Sequence, residues 1–126
     1  YPIDIESDGT KRAIAIYSLV RIAVLKGKGL LIDEFNSQLH PLLQKYLIDL
    51  FYEESACGQL IYTTHDTSLL DKKYMRRDQI WFVDKNKEGE SYIYSLEKYK
   101  ERFDKDILKA YLDGRYGSVP KFKLLS

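Results

Sequence analysis

The chain has 126 residues, 44% of them hydrophobic and 31% charged, with a net charge of +1. That is enough apolar material for one packed domain or part of one, and the nearly cancelled charge excludes a nucleic-acid clamp held by bulk charge. A single cysteine, Cys57, excludes an internal disulfide; there is no signal-peptide pattern and no apolar run long enough to cross a bilayer, so a reducing cytoplasm and no membrane partner are expected.

The chain opens on Tyr1 in place of Met, which reads as a cut or processed piece. Ile3 to Glu6 leads into a polar turn, Ser7-Asp8-Gly9-Thr10. From Lys11 to about Lys26 the spacing predicts a helix, its apolar face made by Ile14, Leu19, Ile22 and Leu25, with Ala13, Ala15 and Ala23 as small packers. Gly27 and Gly29 stop it. Leu30-Leu31-Ile32 is an apolar run of strand length that ends abruptly in Asp33-Glu34, the pattern of a strand covered on both faces in a parallel sheet. Pro41 suits a first helical position, and Leu42, Leu43, Tyr46, Leu47, Leu50 and Phe51 predict a second amphipathic helix that Gly58 ends. Gln59 to Thr64 reads as the next strand, ending in His65-Asp66. Strand, helix and strand in this order give a βαβ unit.

The style then changes. Gln79–Asp84 and Ser91–Ser95 flank a turn containing Asn86 and Gly89, which predicts an antiparallel hairpin. A charged helix is expected over Asp104 to Leu112, before Gly114-Arg115-Tyr116-Gly117 and Pro120. Eleven tyrosines and Trp81, with Lys72, Lys73, Arg76 and Arg77 nearby, invite a base-stacking reading. The near-zero net charge favours packing instead, with Tyr92 and Tyr94 on one side of the hairpin. Asp84, Glu88 and Glu90 read as solvated turn acids rather than a metal site.

Three features end three elements in order. A buried strand that delivers Asp33 at its C-terminal edge suits Mg²⁺ held through water, and Glu34 beside it suits polarisation of an attacking water. His65, at the end of the neighbouring strand, opens onto the same crevice and suits a hydrogen bond to a γ-phosphate oxygen or to that water. Ser7, Gly9 and Thr10, with Lys11 and Arg12, form an anion-facing helix start.

Ser7-Asp8-Gly9-Thr10, Asp33-Glu34 and His65 in this order resemble the signature loop (6–12), Walker B strand (30–34) and switch histidine of ABC-type, SMC- and RecF-like ATPases. Residues 36–40 stand at the place of the D-loop. Leu31-Ile32-Asp33-Glu34-Phe35 with Leu39-His40-Pro41, and Tyr111 to Pro120, are similar to prokaryotic AAA-family ATP-binding proteins linked to abortive infection and phage defence. The resemblance implies an α/β, P-loop NTPase-like fold, of which residues 1–126 are the C-terminal lobe: parallel strands, helices, a terminal hairpin and a C-terminal helix. It also implies ATP and Mg²⁺ as cofactors and a head-to-tail homodimer sandwiching ATP. Glu34 and His65 are then catalytic, Asp33 serves the metal, and Ser7, Gly9 and Thr10 touch the nucleotide of the other subunit. DNA or RNA enters only through the parent protein. Three features depart from the family pattern: Glu6 stands before the serine, Asp8 replaces the first signature glycine, and residues Asn36 to Leu39 lack the usual acidic D-loop ending.

A P-loop needs G-x-x-x-x-G-K-[ST], so that backbone N–H groups cradle the phosphates. Gly27-Lys28-Gly29 does not meet that pattern, and no other stretch of the sequence does. The expectation is therefore a C-terminal half that an N-terminal, Walker A-bearing half completes, and that hydrolyses almost no ATP alone. The competing expectation is a non-catalytic docking or regulatory module derived from such a half-domain.

Overall fold

The computed structural model describes residues 7–99 and 106–117; the lead-in with Glu6, residues 104–105 of the expected terminal helix, and Ser118-Val119-Pro120 lie outside them. Contacts divide the chain into two compact units, Tyr1–Thr67 and Ser68–Ser126.

In the first unit, helix α1 (Asp8–Lys26) starts three residues earlier than its apolar spacing predicts. Ser7 is the reason: it keeps an extended backbone, and its Oγ accepts the Thr10 N–H at 3.2 Å. Asp8 then falls in the first turn, where a carboxylate is favourable to the helix dipole. The buried face is Ile16, Val20, Ala23 and Val24, whereas the expected face, Ile14, Leu19, Ile22 and Leu25, is exposed. This helix is apolar on most of its circumference, so periodicity supports two faces. Packing against strand β1 (Leu30–Ile32) and helix α2 (Pro41–Glu54) selects the face with the smaller side chains.

Pro41 takes the first turn of α2, and His40 caps it by accepting the Leu42 N–H on Nδ1 at 3.2 Å. Leu47, Ile48, Leu50 and Phe51 are buried, while Leu42 and Tyr46 are exposed. The helix ends at Ser55, before Gly58. Gly58 has another reason to lack a side chain: a Cβ there would lie 2.7 Å from the Lys28 carbonyl oxygen.

Strand β2 (Leu60–Tyr62) pairs in parallel with β1, Leu30 opposite Leu60 and Ile32 opposite Tyr62. The expected βαβ unit is thus present. Cover on both faces is not: Ile32 is buried, but the facing pair Leu31 and Ile61 is 77% and 49% exposed. Within the described residues the sheet has only these two strands, too narrow to shelter both faces. Tyr62 packs its ring 4.9 Å from Phe35. Burial, with a smaller contribution from Tyr52, pushes its phenol up to about 12.

In the second unit, β3 (Trp81–Lys85) and β4 (Ser91–Ser95) form the expected hairpin, with Phe82 opposite Tyr94. Helix α3 (Ile107–Leu112) is capped by Asp106, whose Oδ1 accepts the Lys109 N–H at 3.1 Å. Ile80, Phe82, Leu96, Ile107, Ala110 and Tyr116 make the core. Tyr94 packs on Phe82 at 5.6 Å, and Tyr92 stacks beside it at 5.7 Å on the same side while remaining half exposed. The two arginines considered as phosphate contacts already have protein partners: Arg76 forms a two-point pair with Asp78, and Arg77 donates to the Tyr99 carbonyl at 2.6 Å.

Candidate functional site

The parallel pairing fixes the site. Register between β1 and β2 brings the residues after each strand side by side, so Asp33-Glu34 meets Thr63-Thr64-His65. Thr63 N–H donates to the Ile32 carbonyl at 3.0 Å and Phe35 N–H to the Thr63 carbonyl at 2.9 Å, which carries the ladder past the formal strand ends.

Thr63 is the centre of the arrangement. Its hydroxyl donates to Asp33 Oδ1 and accepts the Glu34 N–H, the latter at 2.9 Å. Its one proton and one of its lone pairs thereby orient the Asp33 carboxylate and hold the Glu34 backbone. Glu34 sits at φ +48, in the left-handed region that a side chain disfavours by about 1–3 kcal/mol. Two side-chain groups support that turn: the Thr63 hydroxyl from one side, and Arg12, whose Nη2 donates to the Glu34 carbonyl at 2.8 Å and to the Asp33 carbonyl at 3.3 Å. Arg12, expected to strengthen the field at an anion site, instead holds the backbone of the acidic pair.

The second cluster is a relay. Asp66 N–H donates to Thr64 Oγ1 at 3.0 Å, Thr64 Oγ1 donates to Asn36 Oδ1 at 3.1 Å, and Asn36 Nδ2 lies 2.9 Å from His65 Nε2. Beneath it, Gln44 on α2 is buried at 1% exposure, and its Nε2 donates to the Leu39 carbonyl at 3.1 Å and to Asp66 Oδ2 at 3.2 Å. Thus α2 ties the 36–39 loop to the segment that carries His65.

Ser7, Gly9 and Thr10 make no side-chain bond to either cluster, yet the start of α1 lies against the loop between them. A Cβ on Gly9 would stand 3.3 Å from the Gln38 carbonyl oxygen, and Gln38 is itself at φ +58. A Cβ there would be tight, so packing by itself favours glycine at position 9. Ser7 Oγ is occupied by the Thr10 amide and lies 3.0 Å from Thr10 Oγ1. Sequence reasoning singled out Asp33, Glu34 and His65, and the structure brings these three to one sheet edge. It gave no role to Thr63, Asn36 or Gln44, and did not foresee that Arg12 would reach the Asp33 and Glu34 carbonyls. Gln44 could have been found as a polar residue on an apolar helix face, one position from Leu43 and three from Leu47.

Among the described residues no group of three or more His, Cys, Asp or Glu could cage a metal. Asp33 nevertheless fits a Mg²⁺ held largely by water and phosphate oxygens, because Thr63 engages Oδ1 alone and no bond to the second carboxylate oxygen is seen. No helix among these residues is long and apolar enough to cross a membrane.

The first unit is thus a mixed α/β layer with a small parallel sheet and an acid pair at its strand edge. The family model described as "AAA domain, putative AbiEii toxin, Type IV TA system" matches residues 2–71, more than half of the chain, and the chain belongs to that AAA domain family. The family carries the P-loop NTPase-like fold, and its members in general bind ATP and Mg²⁺. Comparison with curated proteins gives no match.

Proposed function

We propose that this chain is the ATP-hydrolysing lobe of an ABC-type ATPase that works as a head-to-tail dimer. The observation that supports the reading best is the shared Thr63 hydroxyl, which bonds the Asp33 carboxylate and the Glu34 backbone amide at one edge of a parallel sheet within a few residues of His65. Asp33 would hold Mg²⁺ through water, and Mg²⁺ when bound supplies charge neutralisation at the phosphate oxygens. Glu34 accepts a proton from the attacking water, and His65 donates a hydrogen bond to the γ-phosphate. Ser7 and the amides of Asp8 and Gly9, at the positive end of α1, face the γ-phosphate of the nucleotide bound by the other subunit. Thr10 is the signature position whose amide is capped by Ser7 Oγ.

The phosphate-cradling loop belongs, in this reading, to an N-terminal half of the same ATPase, since no stretch of the sequence fits G-x-x-x-x-G-K-[ST]. The family description names a toxin of a toxin–antitoxin system, which supports a place in bacterial defence, with DNA or RNA engaged through the rest of the parent protein.

The test is Glu34→Gln in a protein that carries the P-loop. Removing a general base should lower turnover by about 10²–10⁴-fold and leave ATP-bound dimer to accumulate on size exclusion. Unchanged turnover would favour a docking module in which the acid pair serves no chemistry.

A further inference from the structure

The relay beside the acid pair carries a consequence for the histidine. A backbone amide can only donate, so Thr64 Oγ1 must accept from Asp66 N–H. The hydroxyl then has its proton to give, and the group beside it at 3.1 Å is the Asn36 side chain. The arrangement that uses this proton turns the carboxamide oxygen to Thr64 and its NH₂ to His65. An NH₂ is a donor only, so the ring nitrogen 2.9 Å away must be an acceptor. That nitrogen is Nε2.

We infer that Asn36 is a positioning residue that fixes His65 in the Nδ1–H tautomer, so that the ring meets its ligand as a donor through Nδ1. This is opposite to the tautomer that an unrestrained histidine side chain favours, so it needs a partner to impose it. The inference rests on the proposed ATPase reading for what Nδ1–H would meet, a phosphate oxygen; the tautomer itself does not depend on that reading. Nδ1 has no partner among the described residues, and His65 is exposed, which leaves this donor accessible. The direction of the relay is set from the buried side: Gln44 holds Asp66, whose amide starts it. The histidine's donor face would then be prepared before nucleotide arrives, which is how orientation lowers a barrier without reorganisation.

The test is ¹⁵N NMR of His65 in this chain at mildly alkaline pH, without nucleotide. The wild type should show a protonated Nδ1 and an unprotonated Nε2. Asn36→Asp replaces a donor by an acceptor and should reverse the pattern to Nε2–H. Thr64→Val, an exposed change that leaves the core alone, should lose the bias because Asn36 is no longer oriented. A wild type already in the Nε2–H form, or an Asn36→Asp spectrum unchanged from wild type, would overturn the inference. In the P-loop-bearing protein Asn36→Asp should lower kcat by about 10–100-fold, the usual size for losing an orienting partner, with little change in KM. If the tautomers behave as stated while the wild-type P-loop-bearing protein turns over no ATP, the ATPase reading fails and the positioning role of Asn36 stands.

Discussion

The two sheets of this molecule treat polar residues in opposite ways. In the hairpin unit side chains bond other side chains close to home, Arg76 with Asp78 two residues on and Asn86 with Glu90 four residues on, and Asp106 caps its own helix. The long-range bonds of Arg77, Tyr94 and Tyr99 end on backbone carbonyls. The hydrogen bond from Arg76 holds the Asp78 carboxyl below its usual range, a local effect on an exposed pair. At the end of the parallel pair the partners are far apart in sequence, Thr63 with Asp33 at a separation of 30 and Asn36 with His65 at 29. Local bonds stabilise a turn and need nothing else. Bonds of long separation exist only if the fold is in place, and here a group of them between side chains meets at the ends of two parallel strands, where ligands bind in open α/β sheets. That contrast, rather than the number of acids or tyrosines, separates scaffold from site.

Core truncations should sharpen it most. Phe82→Ala should destabilise the hairpin unit by about 3–5 kcal/mol, and Leu47→Ala the α/β unit by about 2–5 kcal/mol, since both side chains are buried. Hydrogen exchange reads the two separately: Leu47→Ala should deprotect the Thr63 and Phe35 amides, and Phe82→Ala the amides across β3 and β4. If Leu47→Ala left Thr63 protected, the strand-end bonds would not depend on the helix that covers them.

A smaller effect follows from Tyr62. Its phenol is raised from 10.0 to about 12, chiefly by burial. The folded state therefore keeps a proton that the unfolded chain gives up near 10. The contribution of this group is fully present below pH 10 and is lost as pH climbs toward about 12, by about 1.4 kcal/mol per unit and some 2–3 kcal/mol in all. Denaturation midpoints of wild type and Tyr62→Phe, followed across that window, should show the extra loss in the wild type alone. Parallel curves would mean that Tyr62 is hydrated.

Much of this was legible in the sequence because it rests on local pattern. The apolar run ending in Asp33-Glu34, Pro41 at a helix start, and the turn around Asn86 and Gly89 each state their element. The buried face of α1 was not legible, because Ile14, Leu19, Ile22 and Leu25 keep helical spacing as well as Ile16, Val20 and Val24 do, and only the neighbours decide. Nor were Thr63, Arg12 and Asn36, since nothing in their own neighbourhoods announces a partner some twenty to thirty residues away. Gly9 read as a phosphate contact, and in the fold it also has a packing reason, the Gln38 carbonyl.

The central claim is that each nucleotide is served by Glu34 of one subunit and Ser7 of the other. It is tested most directly by mixing two inactive P-loop-bearing proteins, Ser7→Arg and Glu34→Gln. Each homodimer lacks one part of both sites. A mixed dimer has one site with both parts intact and one with neither. An equal mixture should therefore recover roughly a quarter of wild-type ATP turnover, from half of the dimers with one working site each. A mixture that stays as inactive as either variant alone would contradict the account.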